Sequence, residues 1–180
     1  EPPKIRNIDY DGIRKIIKDV RLEDRLNLTV DEAFRVGEAA GVPMPPAAIA
    51  YSRREAGAIA ESLGYPVVMK IVSPEILHKT DVGGVVLNIN SREEAERSYD
   101  EIIRKIQLFM PQARIHGVLI QKMIPEGKEV IIGSVRDPQF GPLVMFGLGG
   151  IYVNFLHDVS YRLCPLTRSE VEEMIQETRA

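Results

Sequence analysis

Lys70 stands inside Val67-Val68-Met69-x-Ile71-Val72, an apolar, β-branched run that reads as a buried strand. An ammonium withdrawn from water is costly unless an anion compensates it, so the position asks for a partner. A phosphate ligand held by a rigid strand is one answer. A lysine snorkelling from a strand end, or paired with a nearby carboxylate, is the other, and spacing alone leaves both open. Downstream lies Ser73-Pro74-Glu75-Ile76-Leu77-His78-Lys79-Thr80-Asp81-Val82-Gly83-Gly84-Val85. A Gly-Gly turn between strands lets backbone amides approach phosphate oxygens, and Lys79 and Thr80 add donors. Gly83-Gly84 by itself is equally an ordinary turn. His78 raises its interest, because an imidazole with one free ring nitrogen is a good nucleophile toward phosphorus.

Two further stretches could bind rather than react. Gln121-Lys122-Met123-Ile124-Pro125-Glu126-Gly127-Lys128-Glu129 is a strand, a Pro/Gly bend and a second strand. Backbone groups of Gln121, Lys122, Met123 and Ile124 could pair with an adenine edge, and Glu129 could accept from ribose hydroxyls. An ordinary hairpin explains the same pattern. In Phe146-Gly147-Leu148-Gly149-Gly150-Ile151 the glycines suggest close backbone approach to a ligand or to another segment. The pattern matches neither the Rossmann fingerprint nor the P-loop. His116 and His157 read as surface or core residues, and the histidines have no metal-ligand spacing.

These residues need a scaffold, and the punctuation of the chain supplies one. Thr29-x-x-Glu32, Ser52-x-x-Glu55, Ser91-x-x-Glu94 and Thr167-x-x-Glu170 have capping-box form, in which a hydroxyl accepts from the N3 amide and the carboxylate reaches back to the cap amide. They predict helices over 30–40, 53–63, 92–109 and 168–179, with Gly41 and Gly64 stopping the first two. Ile13, Ile16, Ile17 and Val20 form an apolar stripe at helical spacing in a charged arm, residues 1–26. Strands are expected near 47 and over 67–72, 85–89, 118–120 and 130–135, with weaker ones at 143–146 and 159–163. The joins at Asp81–Gly84 and Pro125–Lys128 read as hairpins. The expected fold is therefore α+β or α/β, a mixed sheet with antiparallel hairpins and flanking helices.

Composition removes several function classes. The chain has 180 residues with 23 Lys+Arg against 26 Asp+Glu, a net charge of −3 that gives no bulk attraction to nucleic acid or an acidic membrane. No apolar run approaches the roughly 18 residues that span a bilayer, and Glu1-Pro2-Pro3-Lys4 does not open a secretory signal. Cys164 is the only cysteine, so neither an intrachain disulfide nor a Cys-based zinc site can form. A soluble, cytoplasmic protein is expected.

In combination the blocks are specific. Tyr65-Pro66-Val67-Val68-Met69-Lys70, Ser73-Pro74-x-Ile76-Leu77-His78-Lys79-x-Asp81-x-Gly83-Gly84-Val85, Gly127-x-Glu129-Val130-Ile131-Ile132-Gly133, Asp137-Pro138-Gln139-Phe140-Gly141 and Met145-Phe146-Gly147-Leu148-Gly149-Gly150-Ile151-Tyr152-Val153 closely resemble the ATP-grasp β subunit, or β domain, of ADP-forming acetyl-CoA synthetases. The resemblance runs from about Leu28 to the end. It implies an ATP-grasp fold and the reaction acyl-CoA + ADP + phosphate ⇌ acid + ATP + CoA. It also implies a CoA-binding α subunit or domain as partner in a hetero-oligomer, with neither nucleic acid nor membrane involved. The phosphoryl group would pass through an α-subunit histidine to His78 and then to ADP. Lys70, Lys79, Thr80, Gly83 and Gly84 would surround the phosphates. Gln121, Lys122, Met123 and Ile124 would hold adenine, Glu129 the ribose, and Mg²⁺ would bridge the phosphates.

The organisation that follows is an arm or linker at 1–26, a lead-in helix at 27–46, a small ATP-grasp lobe at 47–120, and a hinge with the start of a second lobe at 121–180. Departures from the family pattern are Asn154 and His157, where an acidic residue and a lysine are usual. The acidic-x-Asn-Pro block that supplies family metal ligands does not occur, so the expectation is an incomplete second lobe and metal ligands that stay unassigned. Two other readings stand beside this one. One is a non-catalytic nucleotide-binding regulatory module of the same family. The other is a succinate-type CoA ligase, whose nucleotide subunits lack the His-Lys-Thr-Asp block.

Overall fold

The structure is a computed structural model that describes residues 8–124, 127–150 and 158–179. The chain divides into two compact units, a larger one that ends at Ile124 and a smaller one from Pro125 onward.

In the larger unit α1 (Tyr10–Leu22) and α2 (Val30–Ala39) precede β1 (Ala47–Ala50), α3 (Arg53–Leu63), β2 (Val67–Val72), β3 (Val85–Ile89), α4 (Arg92–Phe109) and β4 (Gly117–Lys122). The strands form one sheet in the order β1-β4-β2-β3. Each neighbouring pair is antiparallel, where a mixed sheet is expected from sequence. Strand alternation decides what each face does. Val67, Met69 and Ile71 of β2 and Val118 and Ile120 of β4 are fully buried. They pack with Ala56 and Ala60 of α3 and Ala95, Ile102 and Ile106 of α4 in one apolar cluster. Lys70 and Gln121 fall on the opposite face by the same alternation. The arm residues Tyr10–Leu22 form a helix that packs on α2, buries Val20, and leaves Ile17 exposed.

The capping signals hold in two forms. Glu32 accepts from the Thr29 amide at 2.7 Å and Glu170 from the Thr167 amide at 2.7 Å, as the box requires. Ser52 and Ser91 cap the amides of Glu55 and Glu94, but these carboxylates reach one residue further back, to the amides of Tyr51 and Asn90. Gly41 and Gly64 both have positive φ, which fits the helix stops expected of them.

The smaller unit is an antiparallel meander of β5 (Val130–Asp137), β6 (Gly141–Leu148) and β7 (Val159–Leu163), followed by α5 (Arg168–Gln176). Asp137 Oδ1 accepts from the amides of Gln139 and Phe140 at 2.8 and 2.9 Å, and Gly141 has φ +87°, so Asp137-Pro138-Gln139-Phe140-Gly141 is the β5–β6 turn.

One expected hairpin is overturned. β4 and β5 flank the Pro125–Lys128 bend but lie in separate sheets. The reason is that both edges of β4 are already occupied, one by β1 and the other by β2. The other expected hairpin is present: β2 and β3 pair antiparallel, joined by residues 73–84.

Candidate functional site

The side chain of Lys70 is half-buried at the middle of β2, and its Nζ donates to Gln121 Oε1 at 2.8 Å. Residues 68 and 121 are register partners on β2 and β4, which sets Gln121 diagonally across from Lys70 on the same face. The partner is thus a neutral amide, and among the described residues no carboxylate lies within ion-pair distance of Lys70 or Lys79. Burial lowers the Lys70 pKa, and the nearby positive charge of Lys79 lowers it further. A desolvated ammonium under the charge of a second lysine, with an amide oxygen for relief, suits an incoming phosphate. The carboxylate pairing that the sequence left open for Lys70 does not occur among the described residues.

His78 sits exposed on the β2–β3 connection, followed by half-buried Lys79 and exposed Thr80. The glycine amides that could have cradled a phosphate are already used. Gly84 N donates to Lys79 O at 2.7 Å and Gly83 N to Thr80 O at 3.1 Å, which closes residues 79–84 into a turn. Gly83 has φ +69°. Gly84 is needed for contact, since a Cβ there would stand 2.5 Å from Ile71 Cγ2.

The Gln121–Ile124 stretch does several different things. Gln121 faces Lys70. Lys122 points to the helix-bearing face, where its Nζ donates to Gly64 O at 2.9 Å and Tyr65 O at 2.6 Å and so satisfies the end of α3. Its ammonium therefore does not join Lys70 and Lys79. The amides of Lys122 and Met123 donate to Pro46 O and Pro66 O, and Met123 Sδ accepts from Asn88 N at 3.2 Å. Ile124 ends the unit and is 70% exposed.

Glu129 belongs to the smaller unit and is exposed. Its carbonyl accepts from Gly149 N at 2.7 Å. A Cβ on Gly149 would come within 2.9 Å of the Glu129–Val130 backbone, and one on Gly150 would meet Glu129 Oε2 at 2.6 Å. Of the two explanations for the glycine-rich run, close approach to another segment is the one these contacts supply. Asn154, His157, Pro125 and Glu126 lie outside the described residues.

Sequence reasoning passed over Glu75 and Arg114. Glu75 Oε1 accepts from Arg114 Nε at 2.8 Å, and Glu75 Oε2 accepts from Arg114 N and Ser73 Oγ, each at 3.1 Å. The Arg114 guanidinium holds the Glu75 carboxyl at about 2. The partners are 39 positions apart, so local spacing carries no signal for them. No group of three or more His, Cys, Asp or Glu side chains is placed to hold a metal among the described residues. Among them too, no helix is long and apolar enough to cross a membrane.

Comparison with known proteins gives a family to set against this geometry. Residues 19–180 match the model of an ATP-grasp domain family. An Archaeoglobus fulgidus acetate–CoA ligase (ADP-forming) is 52% identical over 97% of this chain, which spans 25% of that protein. The β subunit of a Pyrococcus furiosus acetate–CoA ligase (ADP-forming) is 47% identical over 93% of this chain and 72% of its own length. Acetyl-coenzyme A synthetase 1 of Candidatus Korarchaeum cryptofilum, solved with coenzyme A and Ca-AMPCP, superposes with a TM-score of 0.87 at 43% identity, covering 92% of this chain and 72% of that one. Another structure of that enzyme, with coenzyme A and Mg-AMPPCP, has a TM-score of 0.78 at 40% identity over 93% and 71% of the two chains. Its phosphohistidine segment points towards the nucleotide binding site.

Proposed function

The chain belongs to the ATP-grasp domain family, among the β subunits of ADP-forming acetate–CoA ligases, and from that membership we propose that it is the nucleotide-binding, phosphoryl-carrying part of such a ligase. The overall reaction is acyl-CoA + ADP + phosphate ⇌ acid + ATP + CoA, run with a CoA-binding α subunit or domain in a hetero-oligomer. Residues 27–46 are the lead-in, 47–120 the small lobe, and 121–180 the hinge and the start of the second lobe.

His78 accepts the phosphoryl group on one ring nitrogen. In the transfer to ADP, a β-phosphate oxygen attacks phosphorus, the P–O bond of ATP forms, and the P–N bond breaks with its electron pair returning to the imidazole. Catalysis of such a transfer is mostly positioning and charge neutralisation. Lys70 and Lys79 supply positive charge whose compensation the described residues leave to the substrate. Thr80 and the Gly83-Gly84 turn flank His78, and Gln121 to Ile124 are assigned to the adenine side. The related enzyme is solved with Mg-AMPPCP. Here the ion would come with the phosphates, because the described residues group no set of side chains to hold it.

The observation that carries this reading is the exposed His78 beside Lys79, whose charge acts on a half-buried Lys70 that among the described residues has only an amide for company. In the full-length β subunit assembled with its partner, His78→Ala is expected to abolish phosphoryl labelling of this chain from ATP. Labelling that survives the substitution would remove His78 from the mechanism.

A further inference from the structure

Ile89 of β3 belongs to the apolar cluster under α3 and α4, and Val86 of the same strand packs against that cluster. Residues three apart on a regular strand point to opposite faces, so one residue of this stretch must be extra. The pairing shows where. Val67 lies opposite Ile89 and Met69 opposite Val86, so Leu87 and Asn88 together stand against Val68. This is a β-bulge, and its second residue, Asn88, has φ +57°, a left-handed conformation that asparagine tolerates and β-branched residues resist. Alternation from Val86 turns Leu87 onto the open face that carries Lys70 and Gln121, where it is 59% exposed.

A bulge on an edge strand guards against pairing with another chain, and drawing Ile89 into the core explains part of this one. Neither explains where the Asn88 amide goes. It donates to Met123 Sδ at 3.2 Å. Met123 N donates to Pro66 O at 3.1 Å, which continues the β4–β2 ladder one residue beyond Val67 and Lys122. Lys122 faces the helices, so Met123 faces the open side with Gln121. Because β2 lies between β4 and β3, the Met123 thioether crosses the entry of β2 to reach the bulge. Val68, on the open face beside this crossing, is only 5% exposed. Val68, Leu87 and Met123 thus make an apolar patch, bounded along β2 and β4 by Lys70 and Gln121.

We propose that Asn88 is a positioning residue for the nucleotide base: its left-handed bulge aims one backbone amide at Met123 and holds the thioether, with Leu87 beside it, as the surface on which the base stacks. This rests on Gln121 to Ile124 being the adenine side of the nucleotide site. A polarizable thioether suits a heteroaromatic ring. Held by an N–H, it meets the base with its rotamer freedom already given up. Asn88 itself does not touch the base.

The test measures displacement of a fluorescent ADP analogue by ADP and by inorganic pyrophosphate, in the full-length β subunit assembled with its partner. Asn88→Gly keeps the left-handed backbone and its amide, and should bind both as the unmodified protein does. Asn88→Val resists that conformation and should weaken ADP about fivefold, the scale of a lost sulfur–aromatic contact, with pyrophosphate within about twofold. Met123→Leu keeps the volume and removes the acceptor, so it gives the same split if Asn88→Val does not fold. Because Asn88 acts through Met123, adding Asn88→Val to Met123→Leu should weaken ADP no further. Additive losses would overturn the proposal, as would ADP and pyrophosphate weakening together, an equal loss in Asn88→Gly, or unchanged ADP binding by a folded Asn88→Val. Unmodified protein that holds pyrophosphate as tightly as ADP removes the base site itself. A preference for ADP that survives Asn88→Val removes the role of the bulge alone.

Discussion

Lys70 shows how far a single side chain constrains chemistry. Placed on the face away from α3 and α4, it meets an amide and feels a second ammonium, and both burial and Lys79 push its pKa down. Binding a phosphate would reverse that shift, so nucleotide affinity should fall as pH rises through the lowered pKa of Lys70. Gln121→Glu should pair Lys70 internally, raise its pKa, and move this fall to higher pH. The same carboxylate would repel phosphate, and a loss of about tenfold in nucleotide affinity, or ~1.4 kcal/mol, is expected. Titration with nucleotide at several pH values measures both effects. An unchanged affinity and pH profile would mean that Lys70 does not face the phosphates. Lys70 was legible in sequence as a misplaced charge, whereas its amide partner was not, because Gln121 is 51 positions away.

Elements were legible where their signals are local. β-branched runs gave β2, β3, β4 and β5, and the cap residues gave the starts of α2 to α5. The bend at Pro125–Lys128 misled for a physical reason: a turn signal reports that the chain bends, and not whether an edge is free to receive the next strand. α2 carries a further long-range feature. Arg25 donates to both Glu32 oxygens, at 2.8 and 2.6 Å, with side chains only 10% and 13% exposed. The guanidinium holds Glu32 at about 2, while Arg25 is shifted up. A depressed carboxyl contributes stability that is complete above its unfolded pKa and is lost as pH falls through the folded value. Acid unfolding should therefore steepen between about 4.5 and 2, with a ceiling of about 3 kcal/mol from this group. Glu32→Gln should flatten that part of the curve in urea titrations at stepped pH. Arg25→Met, which leaves a buried carboxylate unpaired, should cost on the order of 3 kcal/mol near neutral pH.

At the scale of the whole chain the two units differ in how much apolar surface they enclose. The cluster that runs from Ala50 to Ile120 lies within the larger unit, and so do the β1-β4-β2-β3 sheet and both helices that cover it. In the smaller unit Met174 is the one apolar side chain in the buried core among the described residues. There Ile132 is 72% exposed, Val135 60%, Phe140 67% and Tyr161 53%. Among the described residues, a three-stranded meander with one helix and so little enclosed surface does not offset the conformational entropy of ordering its backbone. Residues 6–124 expressed alone should therefore melt cooperatively, with dispersed amide resonances, and residues 125–180 alone should not. The larger unit brings Lys70, His78 and Gln121 with it, so the isolated 6–124 piece should also retain weak, salt-sensitive affinity for a nucleoside diphosphate. A non-cooperative melt for 6–124 would show that its core needs more of the chain than the cluster contains. A cooperative melt for 125–180 would show that the exposed strands hold together without the buried surface this argument requires.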